Sequence, residues 1–140
     1  MASLDTNCLL RWILGDVPEQ TALMDDLIAS GKHFTAADAV LIETVFVLEK
    51  VKKISRGAVE QALMVIIGQA NIKCSRELFT EALPLYRVHP KLSFIDCYLS
   101  VLARQSGAEP LLTFDQKLAN QLPGVTLLKG EVRKGALTLP

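Results

Sequence analysis

Short apolar runs alternate with longer segments of helical periodicity along this chain, and that alternation restricts the fold more than any other feature of the sequence. Strands that are separated by helical segments pair in parallel, because each connection has to cross back over the sheet. The pattern predicts an α/β fold with three α/β/α layers and a central parallel sheet. In such sheets, ligands bind beyond the carboxyl ends of the strands.

The predicted elements follow from apolar periodicity and from helix start and stop signals. The predicted strands lie at residues 1–4, 33–35, 71–74, 110–113 and 125–128. The predicted helices lie at residues 7–14, 16–30, 36–52, 55–68, 76–86, 93–105 and 116–122. We expect Asp16 to cap the second helix, because a proline and an acid follow it at first-turn positions.

Length, hydropathy and charge set limits on the function. The 140 residues, half of them hydrophobic, suit one domain with a sizeable core, which we place at about residues 1–128 with a tail at 129–140. The 15 basic and 15 acidic residues cancel, so net charge alone does not indicate a nucleic-acid partner. A polyanion would need a metal or a local basic segment. Lys50 to Arg56 and Lys129 to Lys134 are either such segments or ordinary solvated surface.

The three cysteines indicate the kind of cellular compartment in which the protein is expected. Cys8, Cys74 and Cys97 are far apart and form no C-x-x-C pair, which argues against a structural zinc site or a disulfide framework. Free thiols fit a reducing compartment. No signal peptide and no membrane-spanning run is predicted, so we expect a cytoplasmic protein without membrane association.

Four acids stand within apolar segments or at their edges: Asp5, Glu43, Asp96 and Asp115. An unpaired carboxylate is costly to desolvate, so an acid in such a context usually has a partner or a function. A divalent cation is a partner that all four could share. Asp5 and Asp115 also follow predicted strands, at the edge where ligands bind.

Each acid also has a purely structural interpretation. Asp96 completes a capping box with Ser93, Asp115 can cap the helix that follows it, and Asp5 can be a cap or a turn residue. Glu43 is the hardest to explain, because its helical neighbours are apolar, although it could reach water from the edge of a helix. Helix starts beyond strand ends also gather anions, so capping and function are compatible.

The four acids lie in segments that resemble a known family. The segments are LDTN at residues 4–7 with LLR at 9–11, LIETVFVL at 41–48, SFID at 93–96, and LLTFD at 111–115 with Leu118. In order and spacing they are similar to the PIN-domain nucleases, especially the VapC-type toxins of toxin–antitoxin pairs. The similarity continues to about Leu128.

This resemblance implies a function. It makes the four acids the catalytic residues and the ligands of Mg²⁺ or Mn²⁺, with Asn7 and Thr113 as polar residues that orient them. It also implies an endoribonuclease that hydrolyses RNA phosphodiester bonds, forms a homodimer and is inhibited by a cognate antitoxin. The chemistry is consistent, because carboxylates are usual ligands of these ions and a bound ion can polarise a phosphate and activate a water.

Three competing functions remain open. His33 and His89 could act as acid and base of a metal-independent nuclease. A PIN-like module could bind RNA or a partner protein without cutting. Asp5 at a strand end would also suit a phosphatase or a phospho-acceptor receiver, but Asn7 stands where an Asp-x-Asp motif needs its second aspartate.

Two arginines have two interpretations each. Arg11 and Arg104 could contact phosphate groups of a nucleic acid. They could equally form surface salt bridges.

Overall fold

The computed structural model describes residues 1–130 as an alternation of helices and short strands. The helices are α1 (Thr6–Leu14), α2 (Pro18–Ala29), α3 (Asp38–Phe46), α4 (Arg56–Ile67), α5 (Arg76–Val88), α6 (Phe94–Gln105) and α7 (Gln116–Gln121). The strands are β1 (Ala2–Ser3), β2 (Phe34–Thr35), β3 (Ile72–Lys73), β4 (Leu111–Thr113) and β5 (Val125–Leu127). The predicted elements are therefore all present, with ends that shift by a few residues.

Strand pairing within residues 1–130 is parallel throughout, which confirms the predicted α/β/α fold. Strands β1, β2 and β3 pair in that order, and β4 pairs with β5. The predicted central sheet is thus hydrogen-bonded as two groups rather than as one continuous ladder. Strands of two or three residues offer few ladder positions, so the helices and the core must carry most of the stability.

An aromatic cluster joins α5 to α6 and fixes the start of α6. Phe94, the first residue of α6, stacks on Phe79 with 5.6 Å between ring centroids and meets Tyr86 edge-on at the same distance. All three side chains are buried. Burial of each large side chain contributes about 1.5–3 kcal/mol. The cluster therefore holds the amino end of α6 firmly in place.

The predicted cap of the second helix is wrong. Val17 occupies the N-cap position of α2, and Pro18 follows it at the first helical position. Asp16 instead pairs with Arg11, with 3.3 Å between carboxylate and guanidinium. The arginine of the preceding helix competes successfully for this carboxylate.

The helix predicted for residues 36–52 changes character halfway. Helix α3 ends at Phe46, and a π-helical segment covers Val47–Val51, with the Lys52 amide donating to the Val47 carbonyl. Such wider turns are uncommon in regular helices. The segment carries Glu49, whose side chain is only 17% exposed.

The basic segment at Lys50 to Arg56 is only partly solvated surface. Arg56 is 15% exposed and bonds to the Glu49 carboxylate at 2.9 Å. It also donates to the carbonyls of Tyr86 and His89, and its guanidinium lies 4.3 Å from the centre of the Tyr86 ring. Arg56 is therefore a structural residue that joins α4 to the end of α5. Lys50 and its neighbouring lysines remain exposed.

Two further expectations concern the chain as a whole. No helix within residues 1–130 is long and apolar enough to cross a membrane. The predicted tail begins at residue 129, and Arg133 and Lys134 of the second basic segment lie outside the described residues. The predicted division into core and tail stays a prediction.

Candidate active site

Asp5 stands where β1 gives way to α1, and it caps that helix. Its backbone is extended, and its Oδ1 accepts a hydrogen bond of 2.9 Å from the Cys8 amide. This bond, made to the charged form, is the main reason that the pKa of the Asp5 carboxyl lies below its ordinary value. Asp5 is therefore an ionised, exposed carboxylate at the carboxyl end of a parallel strand.

Asp115 occupies the equivalent position after β4 and caps α7. Its Oδ1 accepts hydrogen bonds from the amides of Lys117 and Leu118, at 2.9 and 3.3 Å. The Asp115 amide in turn donates to the Thr113 hydroxyl at 3.0 Å. Thr113 thus holds the backbone that carries the acid, and its predicted role in orienting the carboxylate stays a prediction.

Asp96 forms the predicted capping box with Ser93. The Ser93 hydroxyl accepts from the Asp96 amide and the Asp96 carboxylate accepts from the Ser93 amide, both at 3.2 Å. Because Phe94 is held in the aromatic cluster, the orientation of this half-buried carboxylate is anchored to the core.

Glu43 is exposed on α3, so its apolar sequence context does not desolvate it. Leu41 and Val45 are buried in the core, whereas the side chain of Phe46 is 57% exposed to solvent. Glu43 lines a groove between α3 and the start of α6, together with Phe46 and Ile95. The structure therefore places Glu43 near the helix end that carries Asp96.

The apolar sequence context of the four acids does not bury them. Asp5 and Glu43 are exposed, and Asp96 and Asp115 are half-buried. Apolar neighbours in sequence lie on other faces of the same element, so they do not enclose the carboxylate. The acids therefore need no partner for reasons of burial alone.

The structure brings the acids together only in part. Glu43 shares its groove with the residues that precede Asp96, whereas Asp5 and Asp115 follow strands of two different hydrogen-bonded groups. Within residues 1–130, no group of three or more histidine, cysteine, aspartate or glutamate side chains is arranged to hold a metal ion. Convergence of all four carboxylates stays a prediction.

The donor set nevertheless fits a hard divalent cation. Asp5, Asp96 and Asp115 each accept their capping hydrogen bonds on a single carboxylate oxygen. Carboxylate oxygens are the ligands that Mg²⁺ and Mn²⁺ prefer. Capping therefore orients these acids and leaves each of them an oxygen for a cation.

Asn7 and Arg11 lie on α1, the helix that begins after Asp5. Asn7 lies in the first turn and lines a cleft with Asp5, Cys8 and Arg11. Its predicted role in orienting the carboxylates stays a prediction. Arg11 pairs with Asp16, as described above.

The two arginines and His89 make structural contacts, and the two histidines lie apart from each other. Arg104 forms a salt bridge with Glu81, so both arginines considered for phosphate contacts are paired on the surface. The ring of His89 bonds to the Leu85 carbonyl at 2.9 Å at the end of α5, whereas His33 lies beside the amino end of β1. These positions do not form an acid–base pair.

One structural contact of the site gave no signal in the sequence. The Tyr98 hydroxyl on α6 donates to the Asp38 carboxylate on α3 at 2.5 Å. Burial, and secondarily this carboxylate, raises the pKa of Tyr98 to about 12. The bond joins the helix of Glu43 to the helix of Asp96. The two partners are far apart in sequence, so only the fold reveals it.

Comparison with known proteins gives one match. A family model described as PIN domain matches residues 2–121, a range that contains all four acids. No match was found among curated proteins or among solved structures.

Proposed function

Because the chain belongs to the PIN domain family, we propose that it is a metal-dependent endoribonuclease that hydrolyses RNA phosphodiester bonds and acts as the toxin of a toxin–antitoxin pair. PIN domains are generally nucleases that use divalent metal ions. The observation that carries the proposal is the family match over the full range from Asp5 to Asp115, with three of the acids oriented by helix caps.

In this proposal Asp5, Glu43, Asp96 and Asp115 hold Mg²⁺ or Mn²⁺. A bound ion of this kind polarises the scissile phosphate and lowers the pKa of a bound water. Asp5, whose pKa lies below its ordinary value because of the Cys8 amide bond, is ionised at neutral pH and offers a negative charge to a cation. The caps fix the directions of the three aspartates.

Thr113 and Asn7 are the supporting residues of this site. Thr113 holds the backbone amide of Asp115 through its hydroxyl. Asn7 offers an amide beside Asp5, in the cleft that both residues line.

The proposed partners are an RNA substrate, a cognate antitoxin and a second copy of the chain, in the cytoplasm. Exposed apolar residues such as Phe46 and Ile95 support a protein interface along the α3–α6 groove. The three free cysteines support a reducing compartment. A small upstream reading frame with a DNA-binding start would support the antitoxin, and sedimentation would measure the dimer.

The test of the function is cleavage of defined RNAs with Mg²⁺ or Mn²⁺. We expect cleavage with either ion, none in excess EDTA, and recovery when the ion is restored. Glu43→Gln should lose activity, because the amide removes the negative charge while the exposed position keeps the fold undisturbed. Full activity in EDTA would refute the metal-dependent mechanism.

A second candidate function is a PIN-like module that binds RNA or protein without cutting. The observation in its favour is that Asp5, Asp96 and Asp115 already have structural roles as helix caps. Calorimetric titration with Mn²⁺ separates the two functions. Negligible heat and no cleavage would favour the binding module, whereas saturable binding that weakens in Glu43→Gln would favour the nuclease.

A further inference from the structure

Phe114 is exposed beside one of the predicted catalytic acids. Its side chain is 82% exposed, which exceeds the value of any other aromatic residue among residues 1–130. The residue lies between Thr113, whose hydroxyl accepts from the Asp115 amide, and Asp115 itself. An aromatic ring in this position contributes nothing to the core and is available for a contact on the surface.

Two exposed lysines follow the ends of β4 and β5 in the chain. Thr113 pairs with Leu127, and the Leu128 amide donates to the Thr113 carbonyl at 2.8 Å. Phe114 and Leu128 therefore leave the sheet side by side, and Lys129 follows Leu128. Lys117, in the first turn of α7, lies on the other side of Asp115 in the chain. Both lysines are exposed.

We propose that Phe114 stacks against a base of a single-stranded RNA substrate and that Lys117 and Lys129 contact the flanking phosphates. The proposal rests on the proposed nuclease function, since it positions the strand over Asp115. Exposed aromatic rings next to basic side chains are the usual means of holding single strands, because every base has a π-face and every nucleotide a charge.

Two features favour RNA over a protein as the occupant of this surface. Phe114 lies beside the exposed Leu112 and Leu128, but also beside Asp115 and, in the chain, near two exposed lysines. A single strand of RNA suits this mixture of an aromatic ring and charged groups better than an apolar protein partner does. The ring also lies immediately next to a predicted catalytic carboxylate, where the substrate has to pass. A protein partner would bind about as well to any large apolar side chain at residue 114, whereas base stacking requires an aromatic ring. This difference makes the proposal testable.

The binding test compares three substitutions at residue 114. Fluorescence anisotropy with a short unstructured RNA would be measured in the Asp5→Asn background with Mg²⁺, so that the RNA stays intact. Phe114→Tyr keeps a ring and should bind as Phe114 does. Phe114→Leu and Phe114→Ala should both bind roughly 5- to 150-fold more weakly, which corresponds to about 1–3 kcal/mol. Val65→Ala, an exposed apolar residue on α4, is the matched control and should change nothing.

A direct reporter of stacking comes from tryptophan. The chain has one tryptophan, Trp12, so Phe114→Trp in a Trp12→Phe background provides a single fluorophore at the proposed position. We expect RNA to quench its emission with the dissociation constant found by anisotropy. Emission that RNA leaves unchanged would overturn the proposal, and so would a Phe114→Leu variant that binds RNA as tightly as Phe114.

The same measurements separate this proposal from the nuclease function. Quenching without any cleavage of RNA by the unsubstituted chain would support stacking and refute the nuclease. Metal-dependent cleavage with equal RNA affinity for Phe114 and Phe114→Ala would refute stacking and leave the nuclease standing.

Discussion

Substitution of Asp5 can separate its structural role from its predicted catalytic role. As the N-cap of α1, Asp5 contributes one hydrogen-bond acceptor to the Cys8 amide. As a metal ligand, it would contribute a negative charge. Asparagine keeps the acceptor and removes the charge, whereas alanine removes both. The pair Asp5→Asn and Asp5→Ala therefore distinguishes the two roles.

The expected losses in the free energy of unfolding follow from the single capping hydrogen bond. Asparagine caps helices about as well as aspartate, so Asp5→Asn should lose only the charge–dipole contribution, about 0.3–1 kcal/mol. Asp5→Ala should lose about 0.5–2 kcal/mol, because the Cys8 amide is left without its partner. For a chain of this size, the larger loss corresponds to a fall in Tm of about 2–8 °C.

The order of the variants in cleavage activity should differ from their order in stability. If Asp5 is a metal ligand, both variants should lose at least about 100-fold in metal-dependent cleavage, since even partners of metal ligands contribute 10- to 100-fold. Ser55→Ala is the matched control. Ser55 caps α4 through one bond to the Ala58 amide, so its loss should lower Tm comparably and leave cleavage unchanged.

Thermal unfolding and cleavage of a defined RNA would be measured on all four proteins. Full cleavage by Asp5→Asn would refute the catalytic role of this acid. A Tm of Asp5→Asn as low as that of Asp5→Ala would show instead that the charge, rather than the acceptor, stabilises the helix start.

Three further predictions concern stability. Arg56→Met should lower the free energy of unfolding in urea by about 1.5–3 kcal/mol, because the Glu49 carboxylate loses its charged hydrogen-bond partner; an unchanged midpoint would contradict this network. The pKa of Tyr98 is raised to about 12 from an ordinary value of 10.0, so the folded state keeps its proton longer than the unfolded state. Its stabilising contribution should be complete below pH 10 and lost between pH 10 and about pH 12, and Tyr98→Phe should show a smaller decline in urea titrations across that range. Gly124→Ala and Gly15→Ala should destabilise by similar amounts. Both glycines have positive φ, which costs alanine about 1–2 kcal/mol, and the exposed Glu109 carboxylate that the new methyl group meets at Gly124 can turn away; an unchanged Tm in either variant would contradict this cost.

Local signals in the sequence predicted much of this fold. The capping box of Ser93 and Asp96 and the cap at Asp115 depend on residues three or fewer positions apart, and both are present. The parallel strands follow from the alternation of short apolar and helical segments. In these cases the interaction that determines the structure lies within one helical turn or within one strand–helix–strand connection.

Contacts between different elements of the fold account for the errors. Arg56 belongs to a basic run in sequence, yet its partners lie on the π-helical segment and at the end of α5. Asp16 looked like a cap because the competing Arg11 lies on another helix. For Glu43 the sequence left open whether the side chain reaches water, because that depends on which side of α3 faces the core.

The double use of Asp5, Asp96 and Asp115 as helix caps has a consequence for how this protein can evolve. Exchange of aspartate for asparagine is a single-base change in the codon, and at a cap it is nearly neutral for folding. A gene copy under no pressure to cut RNA could therefore lose its acids one at a time and still encode a well-folded protein. Mutations that silence the proposed site should accordingly be more frequent among surviving copies than mutations in the aromatic cluster, which damage the fold itself.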